Sequence, residues 1–294
     1  MRRSSKENGA PDWDACAISR EAFIALVREE GARRYRDLPW RNIDDAYAVF
    51  VSEVMLQQTQ VSRVVRYWQR WLDLFPNVDA LAAADTATVL EMWQGLGYNR
   101  RALALKRACE ICSSEHAGRL PETVDALVEL PGIGPATAAG IVSFAYNKPA
   151  LYLETNVRSV FLHELFPADE DVRDKKLAPY VADACPVDNP RRWYYALLDY
   201  GAYLKTQVTN PSRRSAHYAR QSAFEGSRRQ KRSILLKLVL ATPEGVSCEE
   251  AAHVLDESEQ KAGREPLGPS EFEGILADLL TEGFFHEKNG VLFP

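Results

Sequence analysis

The chain has 294 residues, 46% hydrophobic, 26% charged and 10% aromatic, a length that fits about two ordinary domains at roughly 150 residues each. With 16 Gly, 16 Pro and no low-complexity run, the composition excludes a wholly disordered chain, a collagen and a mucin-like stalk. The net charge of −5 argues against a nucleic-acid partner as a global figure, but its distribution along the chain does not.

The start, MRRSSKENGAPDWDACA, is basic with no apolar stretch behind it, so residues 1–16 are expected to be a disordered N-terminus and not a secretion signal. No window approaches about 18 consecutive apolar residues, so no membrane span is expected. Five scattered cysteines (Cys16, Cys109, Cys112, Cys185, Cys248) fit free thiols in a reducing compartment, by default the cytoplasm.

Beyond the N-terminus, apolar residues recur at helical spacing. Ala46, Phe50, Val54, Leu56 and Val61 form a stripe that Val64, Tyr67, Trp68, Trp71, Leu72 and Phe75 continue until Pro76 stops it. Thr86 to Trp93 predicts a helix running into the breaker Gly95-Leu96-Gly97, and Arg101 to Cys112 predicts another ending near Gly118. Two more flank the tight turn Leu130-Pro131-Gly132-Ile133-Gly134. No Val/Ile-rich alternating run interrupts the series, so residues 17–232 read as an all-α domain of eight to ten short helices.

Charge then divides the chain. From Arg191 to Arg232 there are ten basic residues against two acids, a local +8; from Ser233 to Pro294 there are twelve acids against four bases, a local −8. A boundary near residue 232 follows. The acidic segment predicts helices over 234–240, 247–255 and 270–282, the last capped by Gly283. Short strands at 284–287 and 291–293 then flank Asn289-Gly290, a hairpin signal. Three helices and a hairpin resemble a winged-helix module at 233–294.

The turn at 130–134 links two helices, its glycines allow close backbone approach, and the N–H groups opening the second helix suit a phosphate. Around it occur, in order, Leu38-Pro39-Trp40-Arg41, the string Ser52-Glu53-Val54-Met55-Leu56-Gln57-Gln58-Thr59-Gln60-Val61, Gly95-Leu96-Gly97-Tyr98, and Glu154-Thr155-Asn156-Val157-Arg158. Over about Asp37 to Leu204 this set is similar to the helix-hairpin-helix DNA glycosylase superfamily, its MutY-type adenine glycosylases in particular. The resemblance implies a six-helix barrel with a second helical domain, and a base-excision enzyme acting on duplex DNA that carries a lesion or mismatch.

Cleaving an N-glycosidic bond leaves positive charge on the sugar and negative charge on the base, which two carboxyl groups of opposite task answer. One, desolvated so that its pKa rises, protonates the base; the other stays ionised beside the oxocarbenium-like sugar. Glu53 takes the first role by resemblance. Glu154 takes the second, where relatives carry an aspartate, and it reaches about one methylene further, a shift of the size that costs around 10²-fold when a catalytic group is misplaced by about 1 Å. Asn156 and Arg158 are placed to orient Glu154, a phosphate or water. Gln57, Gln58 and Tyr98 stand where relatives insert a wedge or touch the opposite strand. Leu130, Gly132, Ile133 and Gly134 of the turn, with Arg213 and Arg214, complete the expected DNA contacts.

The chain departs from its relatives at four points. Besides Glu154, Ala136 occupies the position where endonuclease III relatives carry a strand-cutting lysine, so a monofunctional enzyme without an efficient lyase step is expected. The stretch from Leu204 to Arg232 has no cysteine, where relatives ligate an iron–sulfur cluster with four. Nothing in 233–294 resembles the Nudix-like domain that reads 8-oxoguanine. No cofactor is therefore expected, save a monovalent cation that relatives hold on carbonyls around Leu130 and Ile133. Cys109 and Cys112 read as two ordinary thiols, His163 and His217 as lone histidines that hold no metal, and Trp68, Trp71 and Trp93 as core. Adenine is the leading base, uracil or thymine opposite guanine or a damaged purine the alternatives, and a catalytically weak mismatch-binding module the competing class. A monomer with no membrane contact is expected, and a protein partner at the C-terminal module is left open.

Overall fold

The computed structural model describes residues 10–218 and 222–294. Among these, fourteen α-helices run in chain order: α1 (Arg20–Arg33), α2 (Ala46–Leu56), α3 (Val61–Leu74), α4 (Val78–Ala83), α5 (Thr86–Trp93), α6 (Arg100–Glu115), α7 (Val124–Val128), α8 (Pro135–Ala145), α9 (Thr155–Glu164), α10 (Asp174–Ala184), α11 (Pro190–Gln207), α12 (Arg228–Leu240), α13 (Cys248–Lys261) and α14 (Pro269–Glu282). Strand β1 (Val246–Ser247) precedes α13, and β2 (His286–Lys288) and β3 (Val291–Phe293) follow α14. No helix among the described residues is long and apolar enough to cross a membrane.

The chain forms two compact units. The first holds the described residues through Glu53, Leu120–Glu129, and Ile133 to Tyr218. Its centre is α11, whose Trp193, Tyr194, Leu197 and Leu204 are buried. Phe23 of α1 meets Phe161 of α9 at 4.7 Å between ring centres, and Phe144 of α8 stacks on Tyr195 at 4.9 Å. Backbone approaches are close: a Cβ at Gly31 of α1 would collide with Ala196, and one at Gly201 of α11 would sit 2.8 Å from the Cβ of Asn156 at the start of α9. The N-terminus is ordered earlier than expected. Trp13 to Ala15 form a 3-10 turn, and the Trp13 indole donates to Asp183 Oδ2 at 3.0 Å and packs edge-on against Tyr180. Residues 1–9 of the expected disordered segment lie outside the described residues.

The second unit holds Val54–Arg119, Leu130–Gly132 and the described residues from Ser222 to Pro294. Trp71 of α3 meets Trp93 of α5 edge-on at 5.4 Å, and Trp68 is buried beside them, the core role expected of all three. The long stripe over 46–75 is two helices, because Gln58 adopts a left-handed backbone (φ 54°) between α2 and α3. The helix expected near 101–112 is α6, and Gly118 (φ 73°) closes it by donating its N–H to Cys112 O at 2.9 Å.

The expected boundary near residue 232 falls inside α12. This helix begins at Arg228 because Ser227 caps it, the side chain accepting from the Gln230 N–H. The last segment, α12 to α14 with a three-stranded antiparallel sheet in the order β1-β3-β2, belongs to the same unit as α3 to α6. Glu282, at the end of α14, receives Arg100 of α6 at 2.5 Å and Arg232 of α12 at 2.6 Å. Asn289 and Gly290 are both left-handed (φ 53° and 76°), as a tight hairpin turn requires. The missed strand β1 has two residues, too few for any alternation to register.

Candidate active site

Glu53 sits on the last full turn of α2, and its carboxyl lies against Gly140 of α8. A Cβ at Gly140 of α8 would overlap Glu53 Oε2 and lie 2.9 Å from the Tyr152 ring, so the glycine is what admits the acid. Burial, with repulsion from Glu154 second, pushes the Glu53 carboxyl up to about 8. Arg41 is the cation that opposes this, and it shares Asp199 with Arg36, whose Nε lies 2.5 Å from Asp199 Oδ1. Arg41 Nη1 and Nη2 grip Asp199 at 2.7 and 2.8 Å, both side chains being buried. Its guanidinium also lies 4.4 Å from the centre of the Tyr195 ring.

Glu154 is the N-cap of α9. Extended backbone (φ −105°, ψ −178°) lets its Oε1 accept from the N–H groups of Asn156 at 2.5 Å and Val157 at 3.0 Å, while Oε2 accepts from Asn156 Nδ2 at 3.3 Å. Burial leaves this carboxyl above its ordinary range, although the two amides, Lys205 and Arg158 all act to lower it. Both acids are desolvated but their partners differ: Glu53 has the Asp199-bound Arg41 as its one opposing cation, whereas Glu154 is held by amide donors and faces Lys205 and Arg158. Tyr152 lies between their influences, its phenol held well above its ordinary range by burial and then by both carboxylates.

In the second unit, Arg101 of α6 organises two loops. Its Nη1 donates to the carbonyls of Val54, Met55 and Gln57 at 2.9, 3.0 and 2.6 Å, and its Nη2 to Thr59 Oγ1, Leu96 O and Gly97 O at 3.0, 3.2 and 2.8 Å. Burial lowers this guanidinium to about 10. The loops it joins carry Gln58 and Tyr98, both exposed and both left-handed (φ 54° and 51°). The Tyr98 hydroxyl accepts from Arg229 Nη1 at 2.5 Å, so the basic stretch reaches the loop that carries Tyr98.

In the turn, Leu130 and Ile133 are buried; Gly132 is left-handed (φ 74°), a Cβ there would lie 2.6 Å from that of Ala104, and Gly134 is the extended N-cap of α8. Leu130 and Gly132 belong to the second unit, and Ile133 and Gly134 to the first. Arg158 is engaged by Asp174 through two bonds of 2.8 Å. Arg214 donates to Leu162 O at 2.7 Å and Asp169 O at 3.0 Å, closing the end of α9 as a fold anchor, whereas Arg213 is exposed. Arg220 of the basic stretch lies outside the described residues. Tyr152, Lys205, and the Arg41–Asp199 pair were not singled out from the sequence; Arg41, within a quoted motif, was the one legible signal.

Residues 51–185 match the HhH-GPD superfamily of base excision DNA repair proteins. The matched segment is a little under half of the chain. An adenine DNA glycosylase of Mycolicibacterium smegmatis is 39% identical over 173 residues, 58% of this chain and 59% of that protein. One from Mus musculus is 41% identical over 134 residues, 42% of this chain and 26% of that protein. The chain thus spans less than two thirds of these relatives. Among solved structures, a thermostable thymine-DNA glycosylase aligns with a TM-score of 0.56 at 21% identity, covering 62% of this chain and 86% of that one. An endonuclease III bound to DNA aligns at 0.52 and 17% identity, covering 64% and 86%. Both share the fold of the aligned part of this chain.

The iron–sulfur cluster that the resemblance brings with it does not fit this chain. Beyond Leu204 the sequence has one cysteine, Cys248, far from the expected stretch. Cys109 and Cys112 are buried on α6, and burial pushes the Cys112 thiol up to about 11 and that of Cys109 higher still, the reverse of what a thiolate ligand needs.

Proposed function

We propose that the chain is a monofunctional DNA glycosylase that hydrolyses the N-glycosidic bond of a flipped-out mispaired or damaged base, adenine in a mismatch foremost. The observation that carries this reading is the pair of carboxyls in opposed surroundings, Glu53 raised to about 8 and Glu154 gripped by amide donors beside cations. At neutral pH Glu53 keeps its proton and delivers it to the departing base, while the Glu154 carboxylate faces the positive charge that grows on the sugar. Water then adds its oxygen to the sugar carbon and returns a proton to Glu53, which restores the acid. Ala136 offers no amine for a Schiff base, so hydrolysis ends at the abasic site. Exposed Gln58, Tyr98 and Arg213 are the proposed DNA contacts.

The test is cleavage of duplexes carrying A opposite 8-oxoguanine, A:G, U:G, T:G, hypoxanthine and alkylated purines, with alkali added to reveal abasic sites. Adenine release that Glu53→Gln abolishes, with strand breaks appearing only after alkali, is the expected result. Release of another base alone replaces adenine with that base. Release of none, with retained mismatch binding, overturns the enzymatic reading in favour of a binding module.

A further inference from the structure

Resting on the glycosylase reading above, we infer that Lys205 is a positioning residue for Glu154, acting through Asn156 as an orientation lock. Lys205 lies on the last turn of α11, four residues beyond Gly201 and so on the same helix face. Gly201 is where α11 meets the first turn of α9 backbone to backbone: any Cβ there would strike the carbonyl of Asn156 and lie 2.8 Å from its Cβ. That approach brings Lys205 Nζ to 2.8 Å from Asn156 Oδ1, while Asn156 Nδ2 donates to Glu154 Oε2 at 3.3 Å.

The chemistry of the three groups fixes the direction of the chain of bonds. An ammonium is donor only and a carboxylate acceptor only. The carboxamide between them has one orientation that serves both, its oxygen toward Lys205 and its NH2 toward Glu154. With Lys205 absent, the amide can turn over and set an oxygen against a carboxylate. Charge adds to the same end. Arg158, the other cation that faces Glu154, is already paired with Asp174 through two bonds of 2.8 Å, whereas no carboxylate among the described residues lies within ion-pair distance of Lys205. Glu53 faces Glu154 with a repulsive charge only once it has lost its proton. The Lys205 amine is itself held below its usual range by burial, and Glu154 pulls it back up, which fits a cation whose partner is the carboxylate. Lys205 therefore favours the ionised form of Glu154 and fixes it at the position its longer arm reaches.

The experiment compares full-length wild type, Lys205→Met and Lys205→Arg by single-turnover cleavage across the acid limb of the pH profile. Lys205→Met is expected to lose about 10- to 10²-fold in kcat with KM unchanged, the scale of a catalytic group misplaced by about 1 Å, and its acid limb moves to higher pH. Lys205→Arg restores most of both, which a purely structural loss of packing would not do. Carbon-13 NMR of carboxyl-labelled glutamates, with Glu154→Gln for assignment, reads the same inference without catalysis: the Glu154 titration moves to higher pH in Lys205→Met. An unmoved titration and unmoved acid limb overturn the inference. So does a covalent enzyme–DNA complex trapped by borohydride and lost in Lys205→Met. In that case the amine condenses with the sugar aldehyde, expelling water to leave an imine that hydride reduces to a secondary amine, and Lys205 is a nucleophile. If the wild type cleaves no duplex, the glycosylase reading fails, and the NMR titration alone decides the role of Lys205.

Discussion

Glu53 illustrates how a site is paid for in stability. Its carboxyl titrates near 8 in the fold and in the ordinary carboxylate range when unfolded, so the folded state binds the extra proton and stability falls as pH rises between the two. Glu53→Gln, inactive under the proposed mechanism, is thus expected to match the wild type in Tm at acid pH and to exceed it increasingly up to about pH 8, levelling off beyond; calorimetry across pH reads this. The same titration predicts that kcat/KM of the wild type falls as pH rises through about 8, because the acid that protonates the base is lost. Gly140→Ala places a methyl where the Glu53 carboxyl and the Tyr152 ring already stand. Activity is expected to fall by more than tenfold, since the acid must swing away, while circular dichroism remains helical. The two carboxylates were legible because their motifs are long. Lys205 was not, because nothing local marks a lysine that reaches a neighbouring helix.

Among the elements, α5 was legible to its ends, whereas the break between α2 and α3 was not. Helix α5 runs from Thr86 to Trp93 as expected, Asp85 capping it through the Thr88 N–H at 3.0 Å. The break between α2 and α3 escaped because a glutamine in a left-handed conformation leaves no mark in the sequence, where a glycine would have. What stabilises that break is tertiary: the Arg101 guanidinium replaces the lost helical partners of the Val54, Met55 and Gln57 carbonyls. Arg101→Met should destabilise by about 2–4 kcal/mol, because several charge-assisted bonds are lost together. Limited proteolysis is expected to cut at 57–60 and 95–98 in the variant before it cuts the wild type.

For the whole molecule, the all-α reading of the first segment and the winged-helix-like order of the last were legible, but their partition was not. Charge reversal near 232 records a change of surface and does not mark the end of a folding unit, because Arg100 of α6 and Arg232 of α12 converge on one glutamate, Glu282. Buried Leu235, Leu236, Val239 and Leu279 belong to the unit that holds Trp71 and Trp93. Residues 1–221 and 222–294 expressed as separate chains are therefore expected to lack the cooperative unfolding transition of the second unit, and mixing or refolding them together to recover it. Two independent transitions matching those of the full chain would restore the boundary near 232.

The capping role of Glu154 bears on how such sequences diverge. Because its carboxylate satisfies the first amides of α9, selection for a folded protein alone retains an oxygen-bearing side chain there, even in a lineage that has stopped excising bases. An acid at this position in a distant homologue is thus weak testimony of activity. The amine at 205 caps no helix, and under the proposed mechanism its loss is the more telling sign.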